Sequence, residues 1–174
     1  MSDETRQHYD QFAHRYDEIF LSRQRDKILK LAAYVPRPWS TPCLDAGAGT
    51  GIAGKVLSHT FVNVDISAAM LSHAEDPRVI ADVQNLPFED ETFGFILCVS
   101  VIDHRLDIEL SLKELTRVLK PDAHLALSVL KTEDVAHVEW TLMSIFGRLE
   151  HRLDLGPDVG FITRKQSHQE SASR

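Results

Sequence analysis

The chain has 174 residues, a length that suits one domain around one core. It is 43% hydrophobic and 26% charged, which is ordinary for a globular protein in water. Its net charge of −7, with Lys and Arg dispersed, argues against a nucleic-acid partner.

No apolar run reaches the roughly 18 residues of a membrane span, so no membrane partner is expected. Residues 1–16 are too polar for a secretory signal. The two cysteines, Cys43 and Cys98, sit in apolar segments and read as buried thiols, which points to a cytoplasmic setting. Nine histidines give no His-x-x-x-His pair and the cysteines no Cys-x-x-Cys pair, so no metal is expected.

In chain order, residues 3–35 read as two helices. Tyr9, Phe12, Ala13, Tyr16, Ile19 and Phe20 recur at spacings of three and four in the first. Ile28, Leu29, Leu31, Ala32 and Val35 mark the second, which Pro36 and Pro38 stop. Pro42 suits the first position of a buried strand over 43–46. Gly47, Gly49 and Gly51 then alternate in a turn that opens a helix over about 50–58. A strand over 60–65 ends in Asp65. Ser67 caps a helix carrying Ala68, Met70, Leu71 and Ala74. Residues 78–81 form a third strand that ends before Asp82.

The nearly unbroken apolar run over 93–101 predicts a central parallel strand. A helix over 108–119, a strand over 124–130 and an amphipathic helix over 135–149 follow. Residues 150–155 and 159–164 read as a closing hairpin around Gly156-Pro157-Asp158. The polar tail 166–174 is expected to be disordered. Alternating strands and helices predict an α/β fold, a three-layer doubly wound and mostly parallel sheet of seven strands. Ligands of such sheets bind beyond the carboxyl ends of the strands. The glycine turn, Asp65, Asp82 and the segment after Ser100 all fall on that edge.

Two chemistries compete at the glycine turn. Gly49-Thr50-Gly51-Ile52-Ala53-Gly54 matches the dinucleotide fingerprint, which would make the protein a nicotinamide-dependent oxidoreductase. Asp45, two places before Gly47, would repel a pyrophosphate but can receive an ammonium, as an amino-acid-bearing nucleoside presents. Asp65 lies 18 residues after Gly47, where a carboxylate hydrogen-bonds ribose hydroxyls. Asp82 can accept from an adenine amine, and the Val83 N–H can donate to a ring nitrogen.

The pattern Asp45-x-Gly47-x-Gly49-x-Gly51 resembles motif I of the class I S-adenosylmethionine-dependent methyltransferases. Asp65-Ile66-Ser67-x-x-Met70-Leu71, the run from Asp82 through Leu86-Pro87-Phe88 to Phe93, and Leu112 through Arg117 to Pro121 resemble later segments of the same family in the same order. Ala13-His14-Arg15-Tyr16-Asp17 resembles its entry helix. The likeness spans about residues 9–130 and is similar to the branch containing the ubiquinone and menaquinone C-methyltransferases.

The resemblance implies a Rossmann-like fold and an S-adenosyl-L-methionine cofactor. The cofactor would be held by Tyr16, Asp45, Ala46, Gly47, Gly49, Gly51, Asp65, Ile66, Met70, Asp82, Val83 and Ser100. Residues 1–40 would form cap helices over the cofactor edge, 41–165 the binding domain and 166–174 a tail. It further implies methyl transfer to a small-molecule acceptor on oxygen, nitrogen or carbon. His104, on the loop after the fourth strand, is the candidate base, with His14, Tyr16 and Asp103 behind it. A non-catalytic binder of the same nucleoside is the other reading. Two departures from the family pattern stand out: Phe93-Gly94 where Phe-Asp is common, and Pro121-Asp122-Ala123 where Pro-Gly-Gly is common.

Overall fold

A computed structural model describes residues 16–167 together with Asp10 and Ala13. Tyr9, Phe12, His14 and the tail beyond Ser167 lie outside the described residues. The elements run α1 (Tyr16–Ala33), β1 (Cys43–Ala46), α2 (Ile52–Leu57), β2 (Phe61–Asp65), α3 (Ala68–Leu71), β3 (Arg78–Ile80), β4 (Phe93–Val99), α4 (Ile108–Val118), β5 (Leu119–Leu130), α5 (Val135–Phe146), β6 (His151–Asp154) and β7 (Asp158–Arg164). The seven strands make one sheet in the order β3-β2-β1-β4-β5-β7-β6. β7 runs antiparallel to both β5 and β6, and the other pairings are parallel.

Alternation along each strand builds two cores. On one face Leu44, Ile96, Cys98, Leu125 and Leu127 pack against Leu112 and Leu115 of α4 and Val138 and Leu142 of α5. On the other, Cys43, Phe61, Phe95, Leu97 and Ile162 pack against Ile28 and Leu31 of α1 and Ile52 of α2. Phe95 and Ile96 thus face opposite ways, as the two-residue period of a strand requires. Strand order reverses between β1 and β4, so their carboxyl ends open a crevice.

Three expectations change. Ile19 and Phe20 stand on the same continuous helix as Ile28 and Leu31, because no breaker separates them. Ile19, expected on its apolar face, is exposed. β4 ends at Val99, two residues early, because Ser100 takes a left-handed φ of 58°.

Both sequence departures have local causes. A Cβ on Gly94 would lie 2.0 Å from the Ser40 carbonyl oxygen, so the segment crossing the start of β4 demands glycine there. Asp122 holds φ 62° in place of glycine. Its N–H donates to the Lys165 carbonyl at 2.7 Å, and its carboxylate pairs with Arg164 at 3.0 Å.

Candidate active site

The crevice between β1 and β4 holds a cleft of about 620 Å³ and, beside it, a smaller lobe of about 340 Å³. Tyr16, Gly47, Gly49 and Val99 line both.

The turn after β1 forms the floor. Gly47 and Gly49 adopt φ of 75° and 55°, which a side chain rarely takes. A Cβ on Gly47 would also sit 2.2 Å from a Val101 methyl. The turn's own N–H groups are committed. Gly47 and Ala48 both donate to the Val64 carbonyl, Gly49 to Asp65 Oδ2 and Gly51 to the Ala48 carbonyl. A pyrophosphate needs such donors free, and here it would also face two carboxylates.

Asp65 closes this cross-tie. Its Oδ2 accepts from Gly49 and its Oδ1 from Ser67, both at 2.9 Å, fixing the carboxylate at the cleft wall. Burial pushes the carboxyl up, against those two hydrogen bonds. Ser67 caps α3 as expected, accepting from Met70 N–H at 3.1 Å.

Asp45 lies in the smaller lobe, 4% exposed. Burial first, and then the charge of Asp65, pushes its carboxyl up to about 7. Among the described residues Asp45 has no hydrogen-bond or ion-pair partner. Gln24 lines the same lobe; its Nε2 donates to the Tyr16 hydroxyl at 3.2 Å, while its buried Oε1 has no partner among the described residues. The Gln24 Oε1 therefore shares one small space with the Asp45 carboxyl, and a buried acceptor is rarely left without a donor. An ammonium supplies the missing donor. Gln24 escaped the sequence reading because a glutamine on a helix carries no distinguishing pattern.

At the far end, Ile66, Met70 and Val83 supply apolar wall. Asp82 does not line the cleft, though Ala81 and Val83 on either side do. Its carboxylate is taken by Gln84, whose N–H lies at 2.9 Å and Nε2 at 3.3 Å. The following loop is clamped from α4. Arg117 donates to the carbonyls of Leu86 and Phe88 and pairs with Glu114 and Asp90, while Glu114 accepts from Leu86 N–H. These two residues stand in a run quoted for its resemblance, with no role assigned to them from sequence.

After β4, Ser100, Val101, Asp103 and Arg105 line the open side. Arg105 binds Asp103; burial pushes the Asp103 carboxyl up, but the Arg105 hydrogen bonds outweigh it and hold it below its ordinary value. His104, between them, faces solvent. Its side chain is 76% exposed and its Nδ1 lies 3.1 Å from Glu133. Ala46 is turned into the core, and Gly51 caps α2 against Ala74. The structure therefore brings Tyr16, Asp45, Gly47, Gly49, Asp65, Ile66, Met70, Val83 and Ser100 together, and leaves Ala46, Gly51, Asp82 and His104 off the lining.

Residues 44–127 match the family described as a methyltransferase domain. Over these residues the chain is similar to the class I S-adenosylmethionine-dependent methyltransferases. A demethylmenaquinone methyltransferase of Corynebacterium urealyticum is 36% identical over 95 residues, covering 51% of this chain and 41% of the relative. A malonyl-[acyl-carrier protein] O-methyltransferase of Dechloromonas aromatica is 33% identical over 132 residues, covering 72% of this chain and 50% of the relative. The chain thus spans half or less of the length of these two curated relatives. The crystal structure of the 1,6-didemethyltoxoflavin-N1-methyltransferase of Burkholderia thailandensis, with 1,6-didemethyltoxoflavin and S-adenosylhomocysteine bound, shares the fold. It has a TM-score of 0.69 and 17% identity, covering 94% of this chain and 88% of that one. In this chain the crevice opens at the strand-order reversal.

Proposed function

We propose that this methyltransferase transfers the methyl group of S-adenosyl-L-methionine to a small-molecule acceptor. The observation that carries the reading is the buried Gln24 Oε1, without a partner among the described residues, beside the buried Asp45 carboxyl in the smaller lobe. They fit the ammonium of the methionine end. Asp65 suits ribose hydroxyls, since its carboxylate at the cleft wall keeps acceptor capacity beyond the backbone bonds it already accepts. Ile66, Met70 and Val83 suit the faces of an adenine.

The bound sulfonium supplies an electrophilic methyl and a good leaving group. The chain's residues then need only to align an acceptor and exclude water. Tyr16, reaching from α1 over both lobes, and the lining from Ser100 to Arg105 suit that task. His104, expected as a base, points to Glu133 and solvent, so the reading assigns it no proton transfer. The name of one relative, a demethylmenaquinone methyltransferase, supports a small-molecule acceptor.

Titration calorimetry with S-adenosylhomocysteine and with NADH tests the cofactor. Selective binding of S-adenosylhomocysteine is expected, and selective NADH binding would overturn the reading. Transfer of a labelled methyl to a panel of quinols, phenols, amines and carboxylates tests the reaction. Tight binding without turnover on any of them would leave a nucleoside-binding protein in its place.

A further inference from the structure

Two costly features meet at one residue of the cleft. Ser100 is a non-glycine residue in the left-handed region, with φ 58°. Such a conformation persists only where its surroundings over-determine it, and it gathers at functional sites. Its N–H donates to the Ser128 carbonyl at 3.0 Å. Its hydroxyl donates to Asp158 Oδ2 at 2.6 Å and accepts from Lys27 Nζ at 2.9 Å.

The second feature is the ion pair behind it. Lys27 Nζ lies 2.7 Å from Asp158 Oδ1, with the side chains 7% and 0% exposed. Ser128 Oγ donates a second hydrogen bond to Oδ2 of the same carboxylate at 2.7 Å. Desolvating both charges costs more than an apolar pair of similar volume would, so core stability alone does not call for them. The set instead joins what must be held in register. Lys27 stands on α1, one turn beyond Gln24 and on the helix that carries Tyr16. Ser100 follows β4, Ser128 lies in β5 and Asp158 opens β7.

We propose that Lys27 is a positioning residue for the cofactor site. Through its ion pair with Asp158 it orients the Ser100 hydroxyl at the cleft wall and sets the depth at which α1 lays Tyr16 and Gln24 over the lobes. The pair acts on binding without touching the ligand. This rests on the S-adenosylmethionine reading above.

The test separates positioning from plain stability. Lys27→Met strands the Asp158 charge and is expected to lower the melting temperature by roughly 10 °C. The double variant Lys27→Met with Asp158→Asn removes both charges and is expected to regain most of that loss. Calorimetry with S-adenosylhomocysteine on the double variant should still show affinity reduced by about tenfold, as a misplaced set of polar contacts implies. Lys27→Arg, which keeps the charge but alters the reach, should fold well and bind several-fold more weakly. A double variant or a Lys27→Arg protein that binds like the wild type overturns the proposal. If the double variant does not fold, Lys27→Arg alone decides. Failure of the wild type itself to bind S-adenosylhomocysteine would instead remove the cofactor reading.

Discussion

Asp45 should make both stability and cofactor binding depend on pH near neutrality, and the two should move in opposite directions. In the folded chain without ligand its carboxyl is pushed from 3.8 up to about 7. The folded state therefore keeps a proton that the unfolded chain releases between those values. Stability falls as pH rises through that window, and levels off above about 7. A displacement of about three pH units corresponds to at most about 4 kcal/mol, by the 1.36 kcal/mol per unit of linkage. Asp45→Asn removes the penalty and should gain a large part of that stability at about pH 8, with little gain near pH 4. Urea unfolding of both proteins across the range measures it.

Binding runs the other way. An ammonium needs the ionised carboxylate, so below about pH 7 each pH unit should weaken S-adenosylhomocysteine binding up to tenfold, as a proton must first leave. Calorimetry in buffers of different ionisation enthalpy would register that released proton. A wild-type affinity flat between about pH 6 and 8, together with an Asp45→Asn protein no more stable than wild type at the upper end, would refute the reasoning.

Further outcomes follow from the same geometry. Gln24→Leu should weaken S-adenosylhomocysteine binding by about tenfold or more, the worth of one hydrogen bond to a charged group, as calorimetry would read. Arg117→Leu should destabilise the fold by about 1–3 kcal/mol in urea unfolding and raise hydrogen exchange at Leu86, whose N–H is held by the Arg117 partner Glu114. His104→Ala should leave binding and turnover within about twofold, because an exposed pair with Glu133 contributes little. A large loss of turnover would return His104 to the chemistry.

The legible parts of this chain are those whose cause is local. Alternating glycines need left-handed backbone, and the spacing of apolar residues sets which face of a strand or helix is buried, so the turn and the sheet could be read directly. Ser67 could be read as a cap because its partner, Met70, is three residues away. Side-chain direction at a strand end is different. Asp82 has the right residue type in the right place, yet its carboxylate is claimed by Gln84, two residues on. The competing bond depends on a turn closed by the Asn85 N–H donating to the Asp82 carbonyl, which periodicity does not encode.

The residues missed altogether share a physical trait. Gln24 and Lys27 sit among charged neighbours on a helix whose sequence reads as a solvent-facing stretch. What makes them buried lies far along the chain: Ser100 is 73 residues from Lys27, and Asp158 opens the last strand. A buried lysine becomes tolerable only when a carboxylate from a distant strand meets it. Its burial is thus a consequence of the strand order, in which β7 inserts between β5 and β6 and carries Asp158 to a place behind Ser100. An antiparallel β7 is what brings its first residue, rather than its last, to the same edge as the ends of β4 and β5. The reversed strand therefore also delivers the anion that pairs with the buried lysine of α1.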